Sequence, residues 1–485
     1  MHEAPIKIAF VSHTSNIQGA EKMLLNMAKR LDDDGKVEAY VFADTRGKMQ
    51  QVAEQMGLHF QPLGDTLPWY IFVKDDAKSI STHFRQAVKS ADELAGQLTN
   101  LGIECVVVNT LSKLPGILAA AKLRLPSVLW LCGILDHTML PEAGEGFKSA
   151  CDRLMLYSAD AVVCISHWLR EYYKFFREDA QAIPNFTLVP EKPADYPSGS
   201  IPRFICLNAW QRNKGLECLI EAAGLLHDKN LDFRLDLYGE GPLKDTLNKM
   251  VKQRQLEKLV GLHGRVIDTD SLLTDSNALV SASMLEGFGM TLIEAMSHAR
   301  PLIVSRVLGH EEIVGEDGKY GFLCERQNPA SFANKMEWVM RHSGESRKMG
   351  IAGYEAAKLR YDGRESSNAM FDVIKKVINQ HRQCDPSRQL HRYFLCDIFQ
   401  DILKPFASIT TQDAPEIPGS ALITNPMPVR GNIIVRGMEY ARMHGVKRLC
   451  IDGARYLIQK PTIYPIYLRL SPLFDLILRR NRHAG

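Results

Sequence analysis

Ser281 to Pro301 reads SASMLEGFGMTLIEAMSHARP, and the fold follows from how this stretch is punctuated. A small-residue strand end near Ser283 gives way to a turn holding Gly287 and Gly289, and an apolar helix begins close to Gly289. On that reading Glu286 stands at the strand end and Glu294 on the early helix, so both face one cleft. A helix amino terminus offers unpaired N–H groups and a positive dipole end, which suit a phosphate, and glycines let the backbone come close. Carboxylates suit sugar hydroxyls, because each oxygen accepts hydrogen bonds and fixes orientation. One junction can therefore hold a diphosphate and a sugar side by side.

Working outward, short β-branched runs alternate with amphipathic stretches, the rhythm of parallel strands joined by helical crossovers. In the amino-terminal half, strands are predicted at Lys7–Ser12, Val37–Ala43, Glu104–Asn109, Ser127–Leu131 and Ala161–Ser166. After the first of these, Ala20, Met23, Leu24, Met27, Ala28 and Leu31 mark one helical face. The stretch VPEKPADYPSGSIP, Val189 to Pro202, has no apolar period and reads as a linker. A second series follows, with strands at Arg203–Asn208, Phe233–Tyr238, Asn277–Ser283 and Pro301–Ser305, and a helix carrying Phe332, Met336, Val339 and Met340 on one face. The expected fold is α/β, with two Rossmann-like, doubly wound parallel-sheet domains facing across a cleft. Residues 1–195 form the first and 203–365 the second, with 366–383 a helix returning toward the first. Residues 384–485, with ITTQDAPEIPGS and a basic, apolar end, form an extension of undetermined fold.

Composition narrows the partners. The chain has 485 residues, 45% hydrophobic and 24% charged, and a formal charge of only +3, which gives no field for a polyanion, so nucleic acid is not an expected partner. Ten cysteines are scattered singly with no CxxC pair, the usage of reduced, buried thiols in the cytoplasm. No apolar run reaches the ~20 residues of a membrane span, and Ile6–Val11 is too short for a signal-peptide core. Arg469, Arg479, Arg480 and Arg482 among leucines and isoleucines suit peripheral contact with an anionic inner membrane surface as well as docking on the first domain.

The Ser281–Pro301 stretch resembles the E-x7-E signature of retaining GT-B glycosyltransferases of the group 1, or family 4, type. Other segments are similar to that family's in order and spacing: GAEKMLLNMAKRL at Gly19–Leu31, IPNF at Ile183–Phe186, LYGEGP at Leu237–Pro242, LHGRV at Leu262–Val266 and VLGHEEIV at Val307–Val314. The resemblance covers roughly residues 6 to 380. It implies retaining, metal-independent transfer of a sugar from a nucleotide diphosphate, with UDP or GDP the expected carrier, to a glycan or lipid-linked acceptor in cell-surface polysaccharide or glycolipid synthesis. No cofactor is implied. Glu286 would meet donor-sugar hydroxyls, Glu294 the ribose, and the backbone of Gly289, Met290, Thr291 and Leu292 the diphosphate, beside Phe288. Lys214 would neutralise the departing phosphate, Gly19 would border it, and Arg265 and Val266 would meet the base.

Three departures stand out. Where the family has an arginine shortly before the lysine this chain has Asn208, Ala209 and Trp210, with Arg212 the nearby substitute. Gln18-Gly19 replaces a glycine pair, and CGILDH, with Asp136 and His137, replaces a His-Glu near the acceptor. These leave room for a degenerate sugar-nucleotide-binding or scaffold subunit, and fold alone also admits an epimerase. In isolation Lys214 would be a surface lysine and Gly239 and Gly241 ordinary turn glycines, and HWLREYYKFFR a helix packed on its own sheet with Ser166 as N-cap.

Overall fold

A computed structural model describes residues 4–383, apart from 65–69, 71, 72, 74–76, 134–144, 175, 200 and 267. The expectations for Asp136, His137 and 384–485 lie outside the described residues. The first sheet contains β1 (Ile6–Val11), β2 (Val37–Ala43), β3 (His59–Pro62), β4 (Cys105–Asn109), β5 (Ser127–Leu131), β6 (Ala161–Cys164) and β7 (Gln181–Ala182), all parallel. Its helices are α1 (Gly19–Asp33), α2 (Met49–Gln55), α3 (Ala77–Leu101), α4 (Pro115–Leu123), α5 (Glu145–Ser158) and α6 (His167–Lys174). Strands β4, β5 and β6 are buried along their whole length, as strands covered by helices on both faces must be.

The second sheet contains β8 (Arg203–Leu207), β9 (Arg234–Tyr238), β10 (Val260–His263), β11 (Ala278–Ser281), β12 (Leu302–Ser305) and β13 (Gly321–Cys324), again parallel throughout. Around it lie α7 (Leu216–Asp228), α8 (Lys244–Gln253), α9 (Asp270–Thr274), α10 (Met290–Ser297), α11 (Leu308–Val314), α12 (Pro329–Arg341) and α13 (Ser343–Arg360). The last helix is α14 (Arg364–Gln383). The strand orders are β3-β2-β1-β4-β5-β6-β7 and β10-β9-β8-β11-β12-β13. In each sheet the winding reverses beside its first strand, between β1 and β4 and between β8 and β11. Loops diverge there beyond the strand carboxyl ends, which opens a crevice for ligands.

The apolar pattern read from the sequence explains the packing. Met23, Leu24, Met27, Ala28 and Leu31 of α1 are fully buried, and so are Phe332 and Met336 of α12. One apolar cluster runs from the first sheet through Phe288, Leu292, Ile293 and Tyr361 to Met370, Ile374 and Ile378 of α14, which packs on β5 and α1. The chain thus passes twice between the domains. These crossings are tied together, since Ser366 Oγ donates to the Pro184 carbonyl (2.8 Å) and the Thr187 amide to that of Tyr361 (3.0 Å).

Among its described residues, the Val189–Pro202 stretch carries no helix or strand. Its backbone is held by the second domain. Tyr354 Oη donates to the carbonyls of Pro190 and Glu191 (2.7 Å each), and the fully buried Arg300 guanidinium donates to Asp195, Leu273 and Thr274 carbonyls. Ser166 caps α6 through its Oγ, which accepts from the Leu169 amide (3.3 Å), and Leu169 and Tyr173 of that helix are buried. Among the described residues no helix is long and apolar enough to cross a membrane.

Candidate active site

The Ser281–Pro301 junction is built as a sharp departure from β11. Gly289 sits at φ +113° immediately before α10, a left-handed position that a side chain would strain. No side chain caps α10 and its first turn holds no acid. The Leu292 amide turns back to the Gly289 carbonyl (3.0 Å), while the amides of Met290 and Thr291 meet no acceptor among the described residues. A helix start without its own anion is a standing invitation to someone else's.

Lys214 ends a 3-10 turn, Arg212–Lys214, after β8. Gly215, at φ +62°, lets this turn lie against β11, because a Cβ there would stand 2.2 Å from the Ala282 carbonyl oxygen. The Met284 amide donates to the Asn213 carbonyl (2.8 Å), joining the turn to the loop that carries Glu286. Lys214 Nζ then reaches Glu286 Oε2 at 2.7 Å. Burial alone would raise the Glu286 carboxyl, but the Lys214 charge and hydrogen bond outweigh it and hold the group below the usual glutamate value.

Behind Glu286 lies His310 of α11, fully buried. Nδ1 meets the Ser305 carbonyl at 3.0 Å and burial pushes the ring down to about 4, so it is neutral at pH 7 and donates from Nδ1. The first domain grips the same loop from the other side. Ser166 Oγ and Trp168 Nε1 both donate to the Gly287 carbonyl at 2.9 Å, and Glu312 of α11 accepts from the amides of His167 (2.9 Å) and Trp168 (3.0 Å) at the start of α6.

Between the sheets lies a cavity of about 520 Å³, within the ordinary range for small-molecule sites. The second domain contributes Lys214, Arg265, Val266, Glu286, Phe288, Gly289, Met290, Thr291 and Glu294, and the first contributes Gly19. Glu286 and Glu294 therefore share one space. Phe288 borders it, but its ring is buried edge-on against Tyr361 (centroids 5.7 Å apart). Arg265 lies 3.6 Å from Glu240.

Two expected residues are not brought to the cavity. Arg212 is exposed at the surface, since neighbours two apart in a turn of three residues diverge, and Leu292 is fully buried in the core. Among the lining residues that the sequence did not single out are His13, Glu21 and Lys22. Glu21 Oε2 accepts from the Gln18 amide (2.9 Å) and Oε1 lies 3.1 Å from His13 Nε2. Burial raises Glu21 to about 7 and lowers His13 to about 3. Lys22 Nζ crosses the cleft to Glu294 Oε1 at 2.7 Å. A Glu three residues after Gln18 was a readable capping signal, whereas Lys22 and Glu294 are 272 positions apart and only the fold joins them.

Residues 193–356 match the family model described as glycosyl transferases group 1. That match takes in most of the second domain, from the linker into α13. The chain is 32% identical over 167 residues to the putative glycosyltransferase EpsD of Bacillus subtilis (strain 168), a match covering 34% of this chain and 43% of EpsD. Over 164 residues it is 32% identical to the poly(ribitol-phosphate) alpha-N-acetylglucosaminyltransferase of Staphylococcus aureus (strain COL), covering 34% of this chain and 33% of that enzyme. The chain thus spans less than half the length of these two curated relatives. The crystal structure of Anabaena Alr3699/HepE in complex with UDP-glucose superposes with a TM-score of 0.65 at 18% identity, over 76% of this chain and all of that one. That likeness extends the GT-B fold to both domains. The second domain supplies the open start of α10, the Lys214–Glu286 pair and Glu294, and the first domain lines the cavity opposite them.

Proposed function

We propose that the protein transfers a sugar from a nucleotide-diphosphate donor to a glycan or lipid-linked acceptor, with retention at the anomeric carbon and without a metal. The observation that carries this reading is the single cavity in which the uncapped start of α10 lies between Glu286, paired to Lys214, and Glu294. The diphosphate rests on the Met290 and Thr291 amides. Glu286 orients the transferred sugar and Glu294 the ribose, while Arg265 and Val266 border the base.

As the bond between the anomeric carbon and the phosphate oxygen breaks, negative charge grows on the departing diphosphate, and Lys214 with the helix end stabilises it. The acceptor oxygen bonds to the same face of that carbon and passes its proton to the leaving phosphate. Glu286, kept ionised beside Lys214, acts by hydrogen bonding to the sugar and need not become a nucleophile. The UDP-glucose held by the Anabaena neighbour supports UDP as the first carrier to try. The Staphylococcus relative, named for a wall polymer acceptor, supports a surface polysaccharide.

A thermal-shift screen against UDP, GDP and ADP sugars identifies the donor, because a ligand of the native state raises the melting point by mass action. Transfer or donor hydrolysis should then follow in wild-type protein, vanish in Glu286→Ala, and give a product with the donor's anomeric configuration by NMR. A donor that binds without any turnover contradicts the reading. The surface position of Arg212 favours one alternative, a catalytically degenerate binding subunit, and that outcome is its signature.

A further inference from the structure

Both lysines that line the cavity are held by glutamates in the same way. Lys214 meets Glu286 within the second domain and Lys22 meets Glu294 from the first, each at 2.7 Å. Glu294 is largely buried, whereas Lys22 reaches it from a partly solvated position on the first turns of α1. The starts of α1 and α10 abut: a Cβ on Gly19 would lie 3.5 Å from Met290 Cγ. Glu294 stands one helical turn, about 5.4 Å, beyond Met290, which is within the swing of a lysine side chain.

A nucleotide sugar's diphosphate carries roughly two negative charges and gains more as its bond to the sugar breaks, so Lys214 alone leaves part of it uncompensated. Sugar and ribose hydroxyls can satisfy both glutamates as neutral donors. Each lysine then loses its carboxylate beside the open start of α10, whose dipole is positive, a place where an anion is the stabilising neighbour. Arg265 also lines the cavity, but its guanidinium faces Glu240 at 3.6 Å. We propose that Lys22 is the second cation of the diphosphate site, and that on donor binding Lys22 and Lys214 exchange their glutamate partners for phosphate oxygens. This rests on the nucleotide-sugar reading above and adds to it a residue from the opposite domain, so the donor bridges the cleft.

The opposing idea is that Lys22 merely blocks Glu294 until the ribose displaces it. The two predict opposite signs. Binding of inorganic pyrophosphate, UDP and uridine is measured by calorimetry on wild-type, Lys22→Met, Lys22→Gln and Lys22→Arg proteins, with melting curves confirming folding. The expected result is about tenfold weaker pyrophosphate and UDP binding in the Met and Gln variants, near wild-type binding in the Arg variant, and unchanged uridine binding. Pyrophosphate binding that is absent in wild type, or equal or tighter in Lys22→Met, overturns the proposal, as does an equal loss for uridine. If pyrophosphate binding depends on Lys22 yet no nucleotide sugar is turned over, the transferase reading fails while the cation site stands.

Discussion

The two helix starts that meet across the cleft are built differently. α1 carries its own acceptor, because Glu21 in its first turn folds back to accept the Gln18 amide. α10 has neither an acid in its first turn nor a cap, and it begins from a glycine at φ +113° that keeps side-chain atoms away from its free amides. The first helix end has an amide satisfied within the protein, so what it offers the cleft is a charge further along, Lys22. The second is left open and offers backbone. On the proposed function, this asymmetry lets the α10 wall hold a diphosphate through backbone amides while the α1 wall reaches it only through Lys22.

The comparison is tested hardest at Glu286. Glu286→Gln should lower transfer by roughly 10²- to 10³-fold, as loss of a preorganised transition-state contact does, with nucleotide affinity within a few fold of wild type by calorimetry. An equal loss of binding would place the residue's role in holding the donor instead.

Paired glycine substitutions at the two helix starts come next. Gly289→Ala forces a side chain into a left-handed position, where strain costs ~1–3 kcal/mol, and sets a Cβ 3.4 Å from Leu292 and 3.5 Å from His310. UDP binding should fall tenfold or more and the melting point with it. Gly19→Ala, with an ordinary φ and only a 3.5 Å contact to Met290 Cγ, should change either by less than about twofold or a degree. Equal effects would erase the distinction between the two starts.

Trp168→Phe removes one of the two donors on the Gly287 carbonyl and keeps the ring. A hydrogen bond worth about 1 kcal/mol, lost from the loop carrying Glu286, should lower kcat roughly fivefold with little change in KM. A rise in KM alone would mean the seam aids binding and not alignment.

The smallest effect is a pH dependence. Because burial raises Glu21 to about 7, the folded state binds a proton that the unfolded chain releases near 4.5. Its stabilising share is complete below about 4.5 and is lost as pH rises through about 7. Glu21→Gln keeps an acceptor for the Gln18 amide without that loss. The melting point of the variant relative to wild type should therefore climb across this window, and a flat difference would remove the ionisation from the account.

Much of the architecture was legible because it rests on local pattern. Val37–Ala43 and Ser127–Leu131 match the strands residue for residue, since continuous β-branched and aromatic runs have no other stable home. Strands β3, β7 and β13 escaped the reading, and β10 entered it only within the LHGRV resemblance. All four lie at sheet edges, β7 is only two residues long and β13 begins with a glycine, so none carries a strong period. In the site, Lys214, Glu286 and Glu294 stood out by their setting. Arg212 misled because nearness in sequence to Lys214 does not set direction in a tight turn. Lys22, His310 and Trp168 act through partners far away in the chain, a relation that only tertiary packing creates.

On the proposed function, the free amides at the start of α10 receive the donor's diphosphate. Amide chemical shifts of Met290 and Thr291, followed in selectively ¹⁵N-labelled protein during titration with UDP, test it most directly. The account predicts that both amide protons move downfield with saturation while the Gln18 amide, already held by Glu21, stays in place. Shifts confined to α1, or none at Met290 and Thr291 while UDP binding saturates, would contradict it.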